Sequence, residues 1–373
     1  MIVREYAKNP AEKFGMLGMG CMRLPTLPGT QEPDPVKSEE IIDYAYQHGV
    51  NYFDSAYVYM GGKSEVVMGK ALSKYPRESY CVATKLPSWG LKGPEDVERI
   101  FNESMERLGV DYIDFYLCHN ASEGSIDTFL DPKIGVIPFL EKMKAEGKIR
   151  HLGFSSHGKP ETLRKFASVR KWDFAQIQMN YLDWNMSTTK EEYEILEELG
   201  IPTVVMEPVR GGRLASLNEE TDAMLKAVCP DNSIASWAFR FLMDKSNLMV
   251  VLSGMSNMDQ VIDNVKTFDE GKPLSDAEKA TLEAAVEKFR SSVTVPCTGC
   301  RYCVDDCPAS IDIPKVMEIY NNYNLNKNRM ALRGLSELSA GPKDCLGCGS
   351  CANHCPQNID IPDVMAKLAE LMD

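Results

Sequence analysis

The chain has 373 residues, 44% hydrophobic and 25% charged, with a formal net charge of −13. That length suits one large domain with a small one, or two medium ones, in a folded water-soluble chain. The acidic balance speaks against non-specific nucleic-acid binding, which needs a basic face. No run approaches the ~18–20 apolar residues of a membrane span, and MIVREYAKNPAEKFG lacks the apolar stretch of a signal peptide. A cytoplasmic protein is expected.

From the start to about residue 270, short β-rich runs alternate with helical patterns. The strand-like runs are MLGMGCMRL, NYFDSA, YCVATKL, DFYLCH, HLGFSS, FAQIQMN, TVVMEP and MVVLSGM, each ending near Gly, Ser, Pro or a polar residue. Between them lie amphipathic stretches such as SEEIIDYAYQHG and PEDVERIFNESMERLG. The second opens on proline, carries acids in its first turn and ends on glycine. Eight such units with short connections predict an α/β fold, a (β/α)8 TIM barrel. A doubly wound sheet is the alternative, but GMLGMG has the wrong spacing for a dinucleotide fingerprint. GGKS at Gly61–Ser64 looks like half of a phosphate loop, yet Tyr57 stands where its first glycine belongs. A helix over 275–291 closes the barrel domain, VTVP is the junction, and the expected domains are 1–291 and 292–373.

Eight of the twelve cysteines lie in two runs, CTGCRYCVDDCP and CLGCGSCANHCP. A disulfide framework is unexpected in so long a chain without an export signal, so metal ligation in a reducing compartment is the better reading. The runs share a longer repeat that continues as I-D-I-P-x-V-M, in which proline opens a short helix that packs its Val and Met inwards. Structural zinc uses two thiolate pairs separated by a longer loop, whereas three close cysteines and a fourth before proline suit a cubane cluster. In two-cluster ferredoxins the fourth cysteine ligates the other cluster. Cys297, Cys300, Cys303 and Cys355 are therefore assigned to one 4Fe–4S cluster, and Cys345, Cys348, Cys351 and Cys307 to a second. The spacer between Cys307 and Cys345 is long and helical in pattern, so a small, mainly helical ferredoxin-like domain is expected.

In the barrel, FDSAYVYMGGKSE places a carboxylate, then a tyrosine five residues later, then glycine and glutamate. VATKL ends the next strand on Lys85, and FYLCHN ends the fourth near His119. These motifs resemble the aldo-keto reductase signature, and the resemblance continues through GFSSH, QMNY, MEPVRGGRL and SGMSNMDQVIDN. It implies a catalytic set of Asp54, Tyr59, Lys85 and His119. The chemistry agrees: carbonyl reduction by hydride needs a proton donor. Tyr59, a poor acid at its free pKa of ~10, gains acidity beside an ammonium. Asp54 holds Lys85, and His119 orients and polarises the carbonyl. Tyr57, one alternation away, is the decoy.

The resemblance also implies that Ser155, Ser156 and Gln178 hold a nicotinamide amide. Met206 stands where an aromatic ring commonly stacks under it. The segment of Gly254, Ser256, Gln260 and Asn264 aligns with the one that grips the rest of the dinucleotide. It has no Lys or Arg and contains Asp259 and Asp263, which favours NAD(H) over NADP(H). Arg210 and Arg213 are candidates for a pyrophosphate or a flavin phosphate.

Nicotinamide gives two electrons as hydride, while a 4Fe–4S cluster passes one at a time. The fusion implies a small carbonyl or alcohol substrate and exchange with ferredoxin or another carrier. A flavin is the natural splitter between the two, and one cluster is expected near the mouth that holds Tyr59 and His119. Two further readings stand beside this one: an ordinary NAD(P)H-dependent reductase with structural clusters, and a redox-sensing or electron-transfer subunit without turnover.

Overall fold

Alternating strand and helix patterns become a closed barrel when each strand is buried on both sides, because no edge is then left to cover. The computed structural model, which describes residues 1–290, 295–326 and 329–372, forms two compact units. One comprises Met1–Val209 with Ala235–Leu274, the other Arg210–Ile234 with Ser275–Asp373.

The first unit opens on a hairpin of β1 (Val3–Tyr6) and β2 (Asn9–Gly15). The barrel follows: β3 (Leu17–Gly20), β4 (Tyr52–Asp54), β5 (Cys81–Pro87), β6 (Ile113–Ala121), β7 (Ile149–Ser156), β8 (Phe174–Gln178), β9 (Thr203–Met206) and β10 (Leu248–Ser253). All eight are parallel, consecutive strands are neighbours, and β10 pairs with β3 to close the cylinder. These are the eight expected strands. The hairpin was not expected, because its strands are short, carry four charged residues and bury few side chains. Tyr6 and Phe14 point inwards and meet Tyr52, Phe115 and Phe174 in a buried aromatic cluster within the barrel.

Helices form where the pattern changes from period two to period 3.6. Pro94–Leu108 starts on proline with Glu95 and Asp96 in its first turn, and stops at Gly109, whose φ is 64°. It buries Val97, Ile100, Phe101 and Leu108, one stripe at helical spacing. The helix expected to begin near Ser38 begins earlier, at Pro35, because the Asp34 carboxylate accepts from the backbone N–H groups of Val36 and Lys37.

In the second unit, helix Glu219–Val228 packs against helix Asp276–Arg290. The pair is fastened by an ion pair between Lys288 and Glu220 and by the Cys229 thiol, which donates to Glu278 at 3.0 Å. Residues 210–234 and 275–290 thus group with the cysteine-rich part, whereas a division at 291/292 was expected. Within the expected junction, Val293 and Thr294 lie outside the described residues. The repeat folds alike in both copies. Ile311, Ile313, Val316 and Met317 correspond to Ile359, Ile361, Val364 and Met365 around one apolar core. Val364 alone of these is half-exposed. Each copy runs into its helix, Ile313–Asn326 or Ile361–Leu371, with proline at the second position.

Left-handed backbone recurs at matching places. Gly299 and Gly347 have φ of 70° and 64°, Arg301 and Gly349 of 69° and 77°, and Ser310 and Asn358 both of 51°. Both motif loops therefore wind the same way, and at Arg301 a side chain is held where the second copy uses glycine.

Candidate active site and cluster cages

Because consecutive strands are neighbours, the ends of β4, β5 and β6 bring together residues far apart in sequence. Asp54 ends β4, Lys85 lies on β5, and His119 lies on β6 opposite Pro87. Such strand ends form the usual reaction site of this barrel architecture.

Lys85 is fully buried. Its ammonium donates to Asp54 Oδ1 at 2.5 Å and to the carbonyl of Ser55 at 2.5 Å. Burial pushes Lys85 below the ordinary lysine range, and the Asp54 carboxylate opposes that shift. Tyr59 stands in the turn Tyr59–Gly62 after β4 and is 8% exposed. Lys85 Nζ lies 4.9 Å from the centre of its ring. The edge of the His119 imidazole meets the same ring, with centroids 5.8 Å apart and planes at 81°. Tyr57 is elsewhere: its hydroxyl donates to Glu103 at 2.6 Å, and Arg107 covers its ring at 4.3 Å.

The pairing of β6 with β7 shifts between Cys118 and Ala121, and Asn120 adopts φ of 61°. A bulge of this kind re-aims the side chain beside it, here His119. Burial, with Lys85 and His157 adding to it, holds the His119 imidazole well below its ordinary pKa. It is therefore neutral at neutral pH and able to donate one hydrogen bond to a carbonyl oxygen.

Several neighbours escaped the sequence reading. Trp89, in the loop after β5, is 40% exposed and its ring centre lies 5.5 Å from that of His119. An aromatic residue two places beyond a strand end was the available signal. Burial lowers His157 to about 4. Glu65, read only as part of the signature, is a buried carboxylate that accepts from Thr84 Oγ1 at 2.6 Å and from Arg107 at 3.2 Å. It thereby ties the helix after the Tyr59 turn to the residue preceding Lys85. Gly62 makes room for that arrangement: its φ is 84°, and a Cβ there would sit 2.6 Å from Arg107.

The proposed nicotinamide residues cluster at the ends of β7 to β9. Ser155 Oγ accepts from the N–H of Asn120 at 2.8 Å, and Ser156 Oγ donates to the carbonyl of Ala121 at 3.1 Å. Gln178 donates to Asp183 at 2.7 Å. Met206 Sδ accepts from Gln176 Nε2 at 3.5 Å, while the buried Gln176 Oε1 has no hydrogen-bond partner among the described residues. Of the segment after β10, Gly254 is exposed and Ser256 Oγ donates to the carbonyl of Arg23 at 2.7 Å. The Gln260 carbonyl accepts from Ser256 N, and Asn264 donates to Ser253 Oγ at 2.8 Å. The Arg23 guanidinium, which sequence order did not place here, pairs with Glu207 at 3.6 Å. Arg210 and Arg213 belong to the second unit, beside Pro296 and Cys297.

In the second unit, two cavities gather the eight cysteines. One is lined by Cys297, Cys300, Cys303 and Cys355, the other by Cys345, Cys348, Cys351 and Cys307. Each takes three cysteines from one motif and the fourth from the other, the exchange expected from the spacing. Among the described residues no three His, Cys, Asp or Glu side chains converge as they do on a single ion. Thiols distributed around a cavity suit a multi-iron group better than one tetrahedral zinc. The N–H of Gly299 donates to Cys297 Sγ at 3.4 Å, the type of contact that stabilises thiolate.

A parallel barrel with a buried ammonium under a tyrosine, a neutral imidazole beside it and a cysteine-caged module downstream defines an iron–sulfur oxidoreductase. Residues 16–287 match the aldo/keto reductase family model and residues 296–359 match the 4Fe-4S dicluster domain. The chain belongs to the aldo/keto reductase family, as the motifs of its barrel implied, with a 4Fe–4S domain fused behind it. It is 32% identical to a probable aldo-keto reductase 1 of Glycine max over 57% of this chain, spanning 62% of that relative's length. It is 28% identical to an NADH-specific methylglyoxal reductase of Escherichia coli over 65% of this chain and 85% of the relative. Among solved structures, an aldo-keto reductase from Bacillus halodurans in its holo form superposes with a TM-score of 0.63 at 28% identity, covering 76% of this chain and 96% of that one. A Klebsiella pneumoniae aldo-keto reductase in complex with NADPH shares the fold, with a TM-score of 0.63 at 19% identity over 76% of this chain and 95% of that one.

Proposed function

We propose that the barrel interconverts a small carbonyl compound and its alcohol with a nicotinamide dinucleotide, and that two 4Fe–4S clusters exchange electrons with a one-electron carrier such as ferredoxin. The observation that carries the first half is the buried Lys85–Asp54 pair beneath Tyr59, with the neutral His119 at its side. Tyr59 Oη gives its proton to the carbonyl oxygen as negative charge develops there. The Lys85 ammonium stabilises the phenolate left behind, Asp54 fixes that ammonium, and His119 donates to the same oxygen. When bound, nicotinamide supplies the hydride.

The residues fit a nicotinamide: the buried Gln176 Oε1 lacks a donor among the described residues, and Ser155, Ser156 and Gln178 present polar groups in the neighbouring strands of the barrel wall. For the dinucleotide's other end, NADH is the better fit. The segment Gly254–Asn264 carries no cation, and the Arg23 guanidinium beside it is engaged by Glu207. Lys266 pairs with Glu270, and the buried Arg240 donates to the carbonyl of Lys272. The NADH specificity in the name of the Escherichia coli relative points the same way. Calorimetric titration is expected to show NADH binding at least as tightly as NADPH. A clear preference for NADPH would mean that one of these cations reaches a 2′-phosphate.

The two cysteine cages support two clusters, and anaerobic purification is expected to yield about eight iron and eight sulfide per chain. A colourless protein with stoichiometric zinc after reconstitution would refute this. The reading places the protein in the cytoplasm, where thiolates stay reduced. Among the described residues no helix is long and apolar enough to cross a membrane. A structural role for the clusters is favoured by one observation: Cys297, Cys303 and Cys351 are buried within the apolar core of the second unit.

A further inference from the structure

The segment that follows β9 in the chain, Val209-Arg210-Gly211-Gly212-Arg213, is rich in charge and in left-handed backbone. Arg210, Gly211 and Gly212 have φ of 49°, 65° and 94°. A non-glycine residue adopts this conformation at a cost, so the surroundings must hold Arg210 there. What holds it is in its own unit. Arg210 is 5% exposed, and its guanidinium donates to the carbonyl of Pro296 at 3.4 Å, one residue before Cys297. Arg213, half-buried, closes the same turn, its backbone N–H donating to the Arg210 carbonyl at 3.2 Å, and lies within electrostatic reach of Cys297, Arg210 and Glu318. Two guanidiniums are thus kept out of bulk water next to the first ligand of the cage formed by Cys297, Cys300, Cys303 and Cys355.

The other cage has different company. Its lining includes the carboxylate of Asp306, which is paired with His354 at 2.9 Å, and its Cys348 is exposed. A carboxylate thus lines this cage, whereas guanidiniums neighbour the other.

We propose that Arg210 and Arg213 raise the reduction potential of the cluster held by Cys297, Cys300, Cys303 and Cys355. The proposal rests on the reading that this cage holds a 4Fe–4S cluster. One-electron reduction adds one negative charge to the cage, with the electron coming from the carrier, or from dithionite in the test. Burial of Cys297 and Cys303 opposes that added charge, because it removes water that would solvate it. Fixed cations in the same low-dielectric surroundings favour it, and there their field is weakly screened. The two guanidiniums therefore offset the penalty of burial and keep the cluster of this cage reducible. They also explain why a basic pair next to thiolates does not require a phosphate ligand.

The test is a dithionite redox titration of the anaerobically purified full-length protein, followed by electron paramagnetic resonance. Parent, Arg213→Gln, Arg213→Lys, Arg210→Gln and Arg301→Gln are compared, each checked for iron and sulfide. In Arg213→Gln one midpoint is expected to fall, lowering that cluster's reduced-to-oxidised ratio at the parent midpoint about tenfold, or ~59 mV for a one-electron couple. Arg213→Lys should restore most of the shift. Arg301→Gln should move it little, because Arg301 is exposed and paired with Asp312 at 3.2 Å. The contact that anchors Arg210 is its own donation to the carbonyl of Pro296, so Arg213→Gln removes charge without touching it. Unchanged midpoints in both glutamine variants would overturn the assignment. So would loss of the cluster itself, which would make the pair structural, or loss of nucleotide retention at unchanged midpoints, which would give the pair to a phosphate. A parent protein whose two clusters titrate normally but never exchange electrons during turnover would refute the conduit reading and leave this inference standing.

Discussion

Replacing Tyr59 with phenylalanine is expected to lower carbonyl reduction by about 10²–10⁴-fold while nucleotide binding and cluster absorbance stay as in the parent. The change removes one oxygen. The ring stays, so its edge contact with His119 and its place over Lys85 Nζ persist. What is lost is the only proton that the geometry offers to an alkoxide at this spot through an acid next to an ammonium. His119 remains to polarise the carbonyl but cannot replace the proton, because burial keeps it neutral and a neutral imidazole gives up its N–H proton far less readily than a phenol. Tyr57→Phe provides the comparison. It removes a hydroxyl that faces Glu103, so activity should change several-fold at most. Equal losses in the two variants would show that the acid is misassigned. Steady-state kinetics with one aldehyde and NADH under anaerobic conditions is enough to decide.

Lys85→Met should abolish activity and also destabilise the first unit, by about 3–5 kcal/mol. Asp54 would be left charged, buried and without its ammonium. Among the described residues its second oxygen already lacks a hydrogen-bond partner. The Ser55 carbonyl loses a donor as well. The double variant Asp54→Asn with Lys85→Met separates fold from chemistry. With both charges removed, most of the lost stability should return, because replacing a whole buried pair is far cheaper than breaking it. Activity should not return, since the ammonium beneath Tyr59 is still missing. Urea denaturation gives the stability and kinetics the activity. A double variant that regained turnover would show that Lys85 serves packing alone.

The parts of this site that could be read from sequence are those set by local pattern. Eight runs of strand character became eight barrel strands. Parallel order with neighbouring strands then made it inevitable that Asp54, Lys85 and His119 meet, because residues at the ends of β4, β5 and β6 have nowhere else to be. The cysteine cages were legible for the same kind of reason. Spacing within each motif and the repeat point to the same grouping of thiols that lines the two cavities.

What escaped depends on contacts between distant segments. The N-terminal hairpin is short and rich in polar and charged residues, and the inward Tyr6 and Phe14 are what betray that it seals aromatic side chains of the barrel. Glu65 looked like a signature residue, yet its partners Thr84 and Arg107 come from a strand and a helix that the motif does not contain. Arg23 lies over two hundred residues from Ser256, and pairing of β3 with β10 is what puts them together. Arg210 and Arg213 carried the right charge for a phosphate in sequence. The turn that holds Arg210 at positive φ delivers that charge to Pro296 and Cys297 instead.

The central claim is that a two-electron barrel and one-electron clusters work as one enzyme. Its most direct test is substrate-dependent reduction of an external one-electron acceptor by the anaerobic protein, comparing parent with Cys300→Ser. Cys300 lines the first cage, within the second unit and outside the set of Asp54, Tyr59, Lys85 and His119. The parent should reduce the acceptor when given alcohol substrate and NAD. The variant should lose that reaction while NADH-dependent carbonyl reduction continues at a rate close to the parent's. Equal acceptor reduction by both proteins, or none by the parent with both clusters in place, would contradict the account and make the clusters structural.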